Sequence, residues 1–169
     1  MKVSIFGLGY VGAVSAGCLA KDGHTVIGVD LVQTKVDLIN QGQSPIIEQD
    51  INELIAAGVR DGLLTATTDV ENAIMDTDIS FVCVGTPSQA NGNLDLKYIK
   101  RVCEQIGAAI GKKESRHSVV IRSTILPGTM RNVVIPALAE HSGQVPGTDF
   151  DLCNNPEFLR EGTAVYDYF

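Results

Sequence analysis

MKVSIFGLGYVGAVSAGCLAKDGHTVIGVD, residues 1–30, contains a β-rich run, a glycine-rich turn, a helical pattern and a second β-rich run. The turn is Gly7–Gly12, which matches the pattern GxGxxG. Lys2–Phe6 precedes it directly, and the second run, Thr25–Val29, ends beside an acidic residue, Asp30. In this order of strand, turn, helix, strand and acidic residue, the pattern predicts a dinucleotide-binding βαβ unit.

Each glycine of the turn has a physical role in such a unit. Gly7 permits the tight change from strand to helix. Gly9 lacks a Cβ, so the backbone can approach a pyrophosphate, and Gly12 lets the helix pack closely on the strand. The free N–H groups and the positive dipole end of the helix then bind the phosphates.

Asp30 lies where a carboxylate accepts hydrogen bonds from the adenosine ribose. A 2′-phosphate there would be repelled by on the order of 4 kcal/mol per unit charge, at about 4 Å and an effective dielectric near 20. No Arg follows Asp30, so the sequence predicts NAD rather than NADP as cofactor. Two alternatives stay open: a plain glycine-rich turn with Asp30 as a helix cap, or an FAD or S-adenosylmethionine protein with a similar turn.

Composition limits the class of protein. The 169 residues are 44% hydrophobic and carry a net charge of −7, which favours one folded domain and argues against nucleic acid or an anionic membrane surface as partner. The apolar N-terminus is interrupted by Gly and Ser, which argues against a signal peptide or membrane span. The four cysteines lack metal-ligand spacing and are interpreted as buried free thiols of a cytoplasmic protein with no metal site.

β-rich runs alternate with helical patterns along the whole chain. Further strands are predicted at Ile79–Val84 and Ser118–Arg122, with weaker ones at Leu64–Thr67 and Phe150–Cys153. The helical patterns are Tyr10–Lys21, Val32–Gln41, Asp50–Ala57, a helix capped by Asp69, a helix capped by Asp95, and Thr129–Glu140, where Pro136 predicts a break, a kink or two short pieces. This predicts an α/β, Rossmann-type, doubly wound and mostly parallel sheet with helices on both faces, covering residues 1–153. Residues 154–169 are predicted to begin a substrate loop and a connection to further chain.

Five motifs occur in the same order as in a known family. They are IFGLGYVG (Ile5–Gly12), GVD (Gly28–Asp30), VGTP (Val84–Pro87), RSTILPGT (Arg122–Thr129) and NPEFLREG (Asn155–Gly162). Together they resemble the NAD-binding part of the UDP-glucose/GDP-mannose dehydrogenase family, the nucleotide-sugar 6-dehydrogenases. The resemblance covers essentially the whole chain and implies oxidation of a sugar C6 alcohol to a carboxylate with two NAD.

One part of the sequence resembles a branch of that family. NGNLDL at Asn91–Leu96 and the tail with Tyr166 and Tyr168 are similar to the members that oxidise GDP-mannose for alginate synthesis. UDP-glucose is the alternative substrate. The resemblance also implies that the intact enzyme is a homo-oligomer.

The resemblance assigns cofactor contacts near the first turn. Tyr10 and Val11 would place backbone N–H groups on the pyrophosphate. Asp30 and Lys35 would bind the adenosine ribose, although a lysine in the position of Lys35 can also be a plain surface residue.

Cofactor contacts are also implied after the later strands. Thr86 and Pro87 would line the cofactor, or form only a Gly-Thr-Pro turn. Thr124 would lie near the nicotinamide and bind a catalytic water, or be a strand-end hydroxyl that pairs with backbone.

The segment Glu157–Glu161 resembles the loop that meets the nucleotide sugar. Its implied substrate contacts are Glu157, Phe158, Leu159, Arg160 and Glu161. Glu161 resembles the carboxylate that activates water during thioester hydrolysis, a role that needs a pKa raised by burial. The alternative is a capping and salt-bridge turn, with Arg122 and Arg160 as partners of the acids.

The family also needs a cysteine nucleophile in a glycine-rich motif followed by Pro-Lys. None of Cys18, Cys83, Cys103 or Cys153 lies in such a motif. The chain is therefore expected to be the cofactor-binding part of a longer enzyme and to be inactive alone. Two alternatives remain: a short NAD-binding regulatory module whose partner supplies the cysteine, and another NAD dehydrogenase such as a β-hydroxyacid dehydrogenase.

Overall fold

The computed structural model describes residues 1–169 and contains one six-stranded sheet. All strand pairs are parallel, and the spatial order is β3-β2-β1-β4-β5-β6. The strands are β1 Lys2–Phe6, β2 Thr25–Val29, β3 Leu64–Thr67, β4 Ile79–Val82, β5 Ser118–Ile121 and β6 Asp151–Asn154. The predicted fold class is confirmed, because this is the strand order of a Rossmann-type doubly wound sheet.

Helices cover both faces of the sheet and enclose two separate apolar cores. They are α1 Tyr10–Lys21, α2 Gln33–Asn40, α3 Ile51–Arg60, α4 Val70–Met75, α5 Lys97–Ile110, α6 Ile135–Ser142 and α7 Ala164–Tyr168. One core lies beneath α1, α2, α3 and α7, and the other lies beneath α4, α5 and α6. Side chains from β1 enter both, since Ile5 belongs to the first core and Phe6 to the second.

The strand order creates a crevice at one edge of the sheet. The chain winds outward from β1 in one direction through β2 and β3, and in the other through β4, β5 and β6. The helices that follow β1 and β4 therefore diverge to opposite faces, leaving space beyond the carboxyl ends of these two strands. Open α/β sheets bind their ligands at such a point.

Several predicted boundaries differ from the structure. The fourth strand ends at Val82 rather than Val84, β5 ends at Ile121 rather than Arg122, and β6 is shifted by one residue. Helix α3 continues past Gly58 to Arg60. A Cβ on Gly58 would lie 3.0 Å from Ala20 Cβ and 3.1 Å from Leu64 Cβ, so this glycine serves close packing rather than helix termination.

The first helix is buried on almost all sides. Buried residues run from Gly12 to Cys18, because α3 and α7 cover the side that faces away from the sheet. A Cβ on Gly17 would lie 2.8 Å from Ile51 Cδ1, so small residues allow this approach. The predicted helix is divided into two short pieces, a π-helical turn at Met130–Val134 and α6 from Ile135, and Pro136 lies in the first turn of α6.

A buried hydrogen-bond chain lies at the opposite edge of the sheet. Lys113 Nζ lies 3.2 Å from His117 Nδ1, His117 Nε2 lies 2.7 Å from Ser80 Oγ, and Ser80 Oγ lies 2.7 Å from Ser4 Oγ. His117 Nδ1 also lies 3.1 Å from the Thr77 carbonyl oxygen, so both ring nitrogens have polar neighbours. These hydrogen bonds join the amino ends of β1, β4 and β5 across an otherwise apolar interior.

Candidate cofactor site

The GxGxxG turn has the geometry that its glycines require. Gly7 has φ +94°, a conformation that side chains disfavour. A Cβ on Gly12 would lie 1.8 Å from the Gly7 carbonyl oxygen, so only glycine fits there. A Cβ on Gly9 would meet no atom within 4 Å, which means that this backbone faces open space.

The N-terminus of α1 opens into that space without a cap. Gly9 is the N-cap residue and provides no side-chain acceptor. The backbone N–H groups of Tyr10, Val11 and Gly12 make no hydrogen bond within the protein. Three free donors and the positive end of the helix dipole therefore point to a site for an anionic group.

Asp30 follows β2 and is 9% exposed. Its Oδ2 accepts from the Leu8 N–H at 2.7 Å and from Lys35 Nζ at 3.3 Å, and its Oδ1 accepts from the Val32 N–H at 2.9 Å. The carboxylate thus joins the turns after β1 and β2. It does not cap α2, whose N-cap residue is Val32 and has no side-chain capping bond. Oδ1 keeps one acceptor position for a hydroxyl group.

A cleft of about 330 Å³ lies between these two turns and α5. Gly7, Gly9, Asp30 and Lys35 line it, so the structure brings together these four predicted residues. Volumes of this order are typical of small-molecule sites.

The opposite wall of the cleft was not predicted from the sequence. This wall is built by four residues of α5: Tyr98, Arg101, Val102 and Gln105. Their spacing is one helical stripe, next to the stripe that enters the core. The signal was present in the sequence, but only the packing of α5 on β4 shows that this stripe faces the turn.

The predicted residues after β4 and β5 lie beyond this cleft. Thr86 Oγ1 donates to the Thr124 carbonyl oxygen at 2.9 Å, which joins the two loops. The Thr124 hydroxyl is exposed and pairs with no protein group, in contrast to the alternative in which backbone satisfies it. Pro87 is exposed beside Thr86.

The Glu157–Glu161 segment makes several contacts within the protein. Glu157 accepts from the Leu159 N–H at 2.7 Å, and Leu159 packs on the first core. Arg160 pairs with Asp167 at 2.5 Å, so its suggested pairing with the neighbouring glutamates is wrong. This pair holds the pKa of Asp167 well below its usual range, because the guanidinium and the Arg160 N–H stabilise the carboxylate.

Two members of the segment remain free. Phe158 is 87% exposed and Glu161 is exposed, so these residues supply no burial for the base role suggested for Glu161. Arg122 donates to Asn155 Oδ1 at 2.6 Å and lies over the Tyr168 ring, again without pairing with the glutamates. Sequence alone could not choose these partners.

Three of the four cysteines are buried, as predicted. Burial raises the pKa of Cys18 to about 11 and the pKa values of Cys83 and Cys103 to about 12. Cys153 on the edge strand β6 is exposed, which corrects the prediction for that residue.

No cluster of three or more His, Cys, Asp or Glu side chains is arranged as a metal site. None of the helices combines the length and apolar character needed to cross a bilayer.

Comparison with known proteins matches the whole chain to one family. Residues 1–169 match the model for the NAD binding domain of the UDP-glucose/GDP-mannose dehydrogenase family. GDP-mannose 6-dehydrogenase of Pseudomonas aeruginosa is 59% identical over 99% of this chain and 38% of its own length. UDP-glucose 6-dehydrogenase of Haloferax volcanii is 42% identical over 99% of this chain and 39% of its own length.

A solved structure agrees with the match. The ternary complex of GDP-mannose dehydrogenase from Pseudomonas aeruginosa superposes with a TM-score of 0.98 at 59% identity, over 99% of this chain and 38% of that one. The chain therefore spans less than half of the length of the relatives it matches. With its six parallel strands, its uncapped GxGxxG helix and Asp30 at the next strand end, this chain belongs to the UDP-glucose/GDP-mannose dehydrogenase family and corresponds to its NAD-binding domain.

Proposed function

We propose that the crevice binds NAD with its pyrophosphate on the N–H groups of Tyr10, Val11 and Gly12. The uncapped N-terminus of α1, which opens at the point where the strand order reverses, is the observation that carries this proposal. A pyrophosphate there would accept the hydrogen bonds that these groups lack, and the helix dipole would stabilise its charge.

The adenosine half is proposed to occupy the cleft beside α5. The free acceptor position on Asp30 suits a ribose hydroxyl, and Lys35 neutralises part of the carboxylate's charge from 3.3 Å. Val32, Val70 and Tyr98 offer apolar surface to the base. A 2′-phosphate would approach Asp30 directly, which favours NAD over NADP by electrostatic repulsion.

The nicotinamide is proposed to extend toward the loops after β4 and β5. When bound, NAD supplies the hydride acceptor. Thr86 fixes the relative position of the two loops through its bond to the Thr124 carbonyl. The Thr124 hydroxyl, free of protein partners, can bind and orient a water molecule there.

For the whole protein we propose oxidation of a nucleotide-sugar C6 alcohol to a carboxylate with two NAD. GDP-mannose is the first candidate substrate, as a precursor for an alginate-type polysaccharide. It is favoured over UDP-glucose because the GDP-mannose dehydrogenase is 59% identical to the chain and the UDP-glucose enzyme is 42% identical. Phe158 and Glu161 are the members of the Glu157–Glu161 segment that remain available for substrate.

The 169-residue chain is proposed to be inactive by itself. Thioester chemistry needs a thiolate, and burial raises the pKa of Cys18, Cys83 and Cys103 far above neutral pH. Cys153 is exposed, but it lies on the outer strand of the sheet, beyond β5.

Calorimetry tests the proposed NAD site, and an absorbance assay for NADH tests the proposed inactivity of the chain. NAD should bind to the chain more tightly than NADP, and addition of GDP-mannose or UDP-glucose should produce no NADH. Absence of NAD binding would refute the cofactor site. Sustained NADH formation would refute the proposed inactivity, and replacement of Cys153 by Ser would then show whether that thiol is responsible.

A further inference from the structure

The loop between α2 and α3 contains a carboxylate that joins three distant parts of the chain. Glu48 Oε2 accepts from the Tyr10 hydroxyl and, at 2.7 Å, from the Gly162 N–H. Glu48 Oε1 accepts from the Ala164 N–H at 3.1 Å. One side chain therefore contacts the first residue of α1 and two backbone groups directly after the Glu157–Glu161 segment.

Tyr10 lies between the two sides of the proposed site. Its backbone N–H is one of the free donors at the N-terminus of α1. Its side-chain oxygen contacts Glu48, lies 3.3 Å from the Gly162 nitrogen and lies 3.5 Å from the Arg160 carbonyl oxygen. The same residue thus faces the cofactor with its backbone and the C-terminal segment with its hydroxyl.

The charge states make this arrangement persistent at neutral pH. The hydrogen bond from Tyr10, together with the Gly162 and Ala164 N–H groups, holds the pKa of Glu48 below its usual range. Burial and the bond to Glu48 raise the pKa of Tyr10 to about 12. Glu48 is therefore a constant acceptor and Tyr10 a constant donor, and hydrogen bonds to a charged acceptor are stronger than neutral ones.

Glu48 is the one side chain that accepts from both the Gly162 and the Ala164 N–H groups, and the Tyr10 oxygen lies 3.3 Å from the Gly162 nitrogen. Gly162 has φ +89°, and Ala164 is fully buried against the first core. Loss of the carboxylate would leave the Ala164 N–H without its acceptor in an apolar environment, which is costly. Phe158 and Glu161, by contrast, are exposed and make no such contact.

We propose that Glu48 is a positioning residue that, through Tyr10 and the Gly162 and Ala164 N–H groups, sets the Glu157–Glu161 segment against the N-terminus of α1. The proposal rests on the proposed function, which puts the cofactor on one side of Tyr10 and the nucleotide sugar on the other. A cofactor that immobilises Tyr10 also orders the segment. Because such coupling is reciprocal, loss of the Glu48 contact weakens NAD binding.

Hydrogen exchange of single amides measures the contact directly. In Glu48→Gln, exchange at Gly162 and Ala164 should accelerate by roughly tenfold or more, since charge-assisted bonds to both N–H groups are weakened. Glu53→Gln is the matched control, because Glu53 is exposed in the first turn of neighbouring α3. It should leave both amides unchanged. Equal exchange in Glu48→Gln and the unaltered chain, or equal acceleration in Glu53→Gln, would overturn the proposal.

Two further readouts separate positioning from simple stability. The amide shifts of Gly162 and Ala164 should titrate with the Glu48 carboxyl at a pKa below the usual glutamate range, and this titration should vanish in Glu48→Gln. NAD should slow exchange at Gly162 in the unaltered chain. Tyr10→Phe, which keeps Glu48 on both N–H groups, should reduce that response and weaken NAD binding severalfold.

The outcomes distinguish this proposal from the proposed function. A Tyr10→Phe chain with the full NAD response would overturn the coupling, and this variant also decides the question if Glu48→Gln fails to fold by circular dichroism. If the unaltered chain does not bind NAD in calorimetry, the proposed function fails and the coupling fails with it. Exchange in the absence of NAD still decides whether Glu48 holds the segment.

Discussion

Acidification should destabilise this fold through one buried histidine. His117 is 1% exposed, and burial together with the nearby Lys113 ammonium lowers its pKa from 6.5 to about 4. The Lys113 ammonium lies 3.2 Å from His117 Nδ1, so a second ring proton would place two positive charges side by side in a buried site. Between these two pKa values, His117 is therefore neutral in the folded state and protonated in the unfolded chain.

The sign and size follow from proton linkage. Between pH 6.5 and about 4 the unfolded state binds more protons at His117, so stability falls as the pH falls through this window. The contribution is fully present above the ordinary histidine pKa. The expected loss is about 2 kcal/mol at about pH 5 and about 3 kcal/mol at about pH 4.

Urea unfolding followed by circular dichroism checks this, since the chain has no Trp. The free energy of unfolding should be measured at about pH 7.5 and about pH 5 for the unaltered chain and for His117→Gln. The difference between the two pH values should be smaller in the variant by about 2 kcal/mol, because carboxyl titration is common to both. His141→Gln, at an exposed histidine, should keep the full pH dependence. The same pH dependence in His117→Gln as in the unaltered chain would refute the reasoning, as would NMR titration of His117 near pH 6.5.

Four substitutions test the glycine-rich turn and Asp30. Gly9→Val should abolish NAD binding in calorimetry while the circular dichroism spectrum stays native. The fold tolerates the change because a Cβ at residue 9 meets only open space and the backbone there is extended. Retained NAD binding would show that the cofactor binds elsewhere. Gly12→Ala should instead destabilise the fold by more than about 3 kcal/mol in urea, because its Cβ would lie 1.8 Å from the Gly7 oxygen, and near-native stability would contradict this. Asp30→Ala should weaken NAD binding and reduce the ratio of the NAD affinity to the NADP affinity by roughly tenfold or more. An unchanged affinity ratio would exclude the ribose role. Asp30→Asn removes the charge but can still accept from the Leu8 N–H, so it separates the effect of the charge on NAD binding from the effect of losing that hydrogen bond.

Most of the fold could be predicted from local patterns. The β1-turn-α1 unit and its glycines follow from sterics that act within a few residues, and β1, β2, β3 and α1 have the predicted bounds. Errors arose where a distant part of the chain decided the outcome. Helix α3 runs past its predicted end at Ala57, with Gly58 packed closely on Ala20 and Leu64, and α1 is buried because α3 and α7 cover it.

Some residues of the candidate site could be predicted from local patterns and others could not. Gly9 and Asp30 could be identified because the chemistry of a pyrophosphate and a ribose requires those residue types at those positions. Glu48, in a loop, could not, since nothing local marks it. The stripe of α5 that contains Tyr98 is visible in the sequence, but only helix packing shows that it faces the cleft. Arg160 illustrates the limit most clearly, because three carboxylates lie within seven residues and only the folded chain selects Asp167.

The amino-acid sequence by itself determined the strand–turn–helix unit, the acidic residue at the second strand end and the family resemblance. These depend on backbone sterics, side-chain period and residue chemistry over short distances, which a linear pattern records. Only the tertiary structure decided that Tyr10, Glu48 and Gly162 meet, and that His117 lies in a dry chain of hydrogen bonds. Partners so far apart in the chain are brought together by sheet order and helix packing, which arise from the whole core at once.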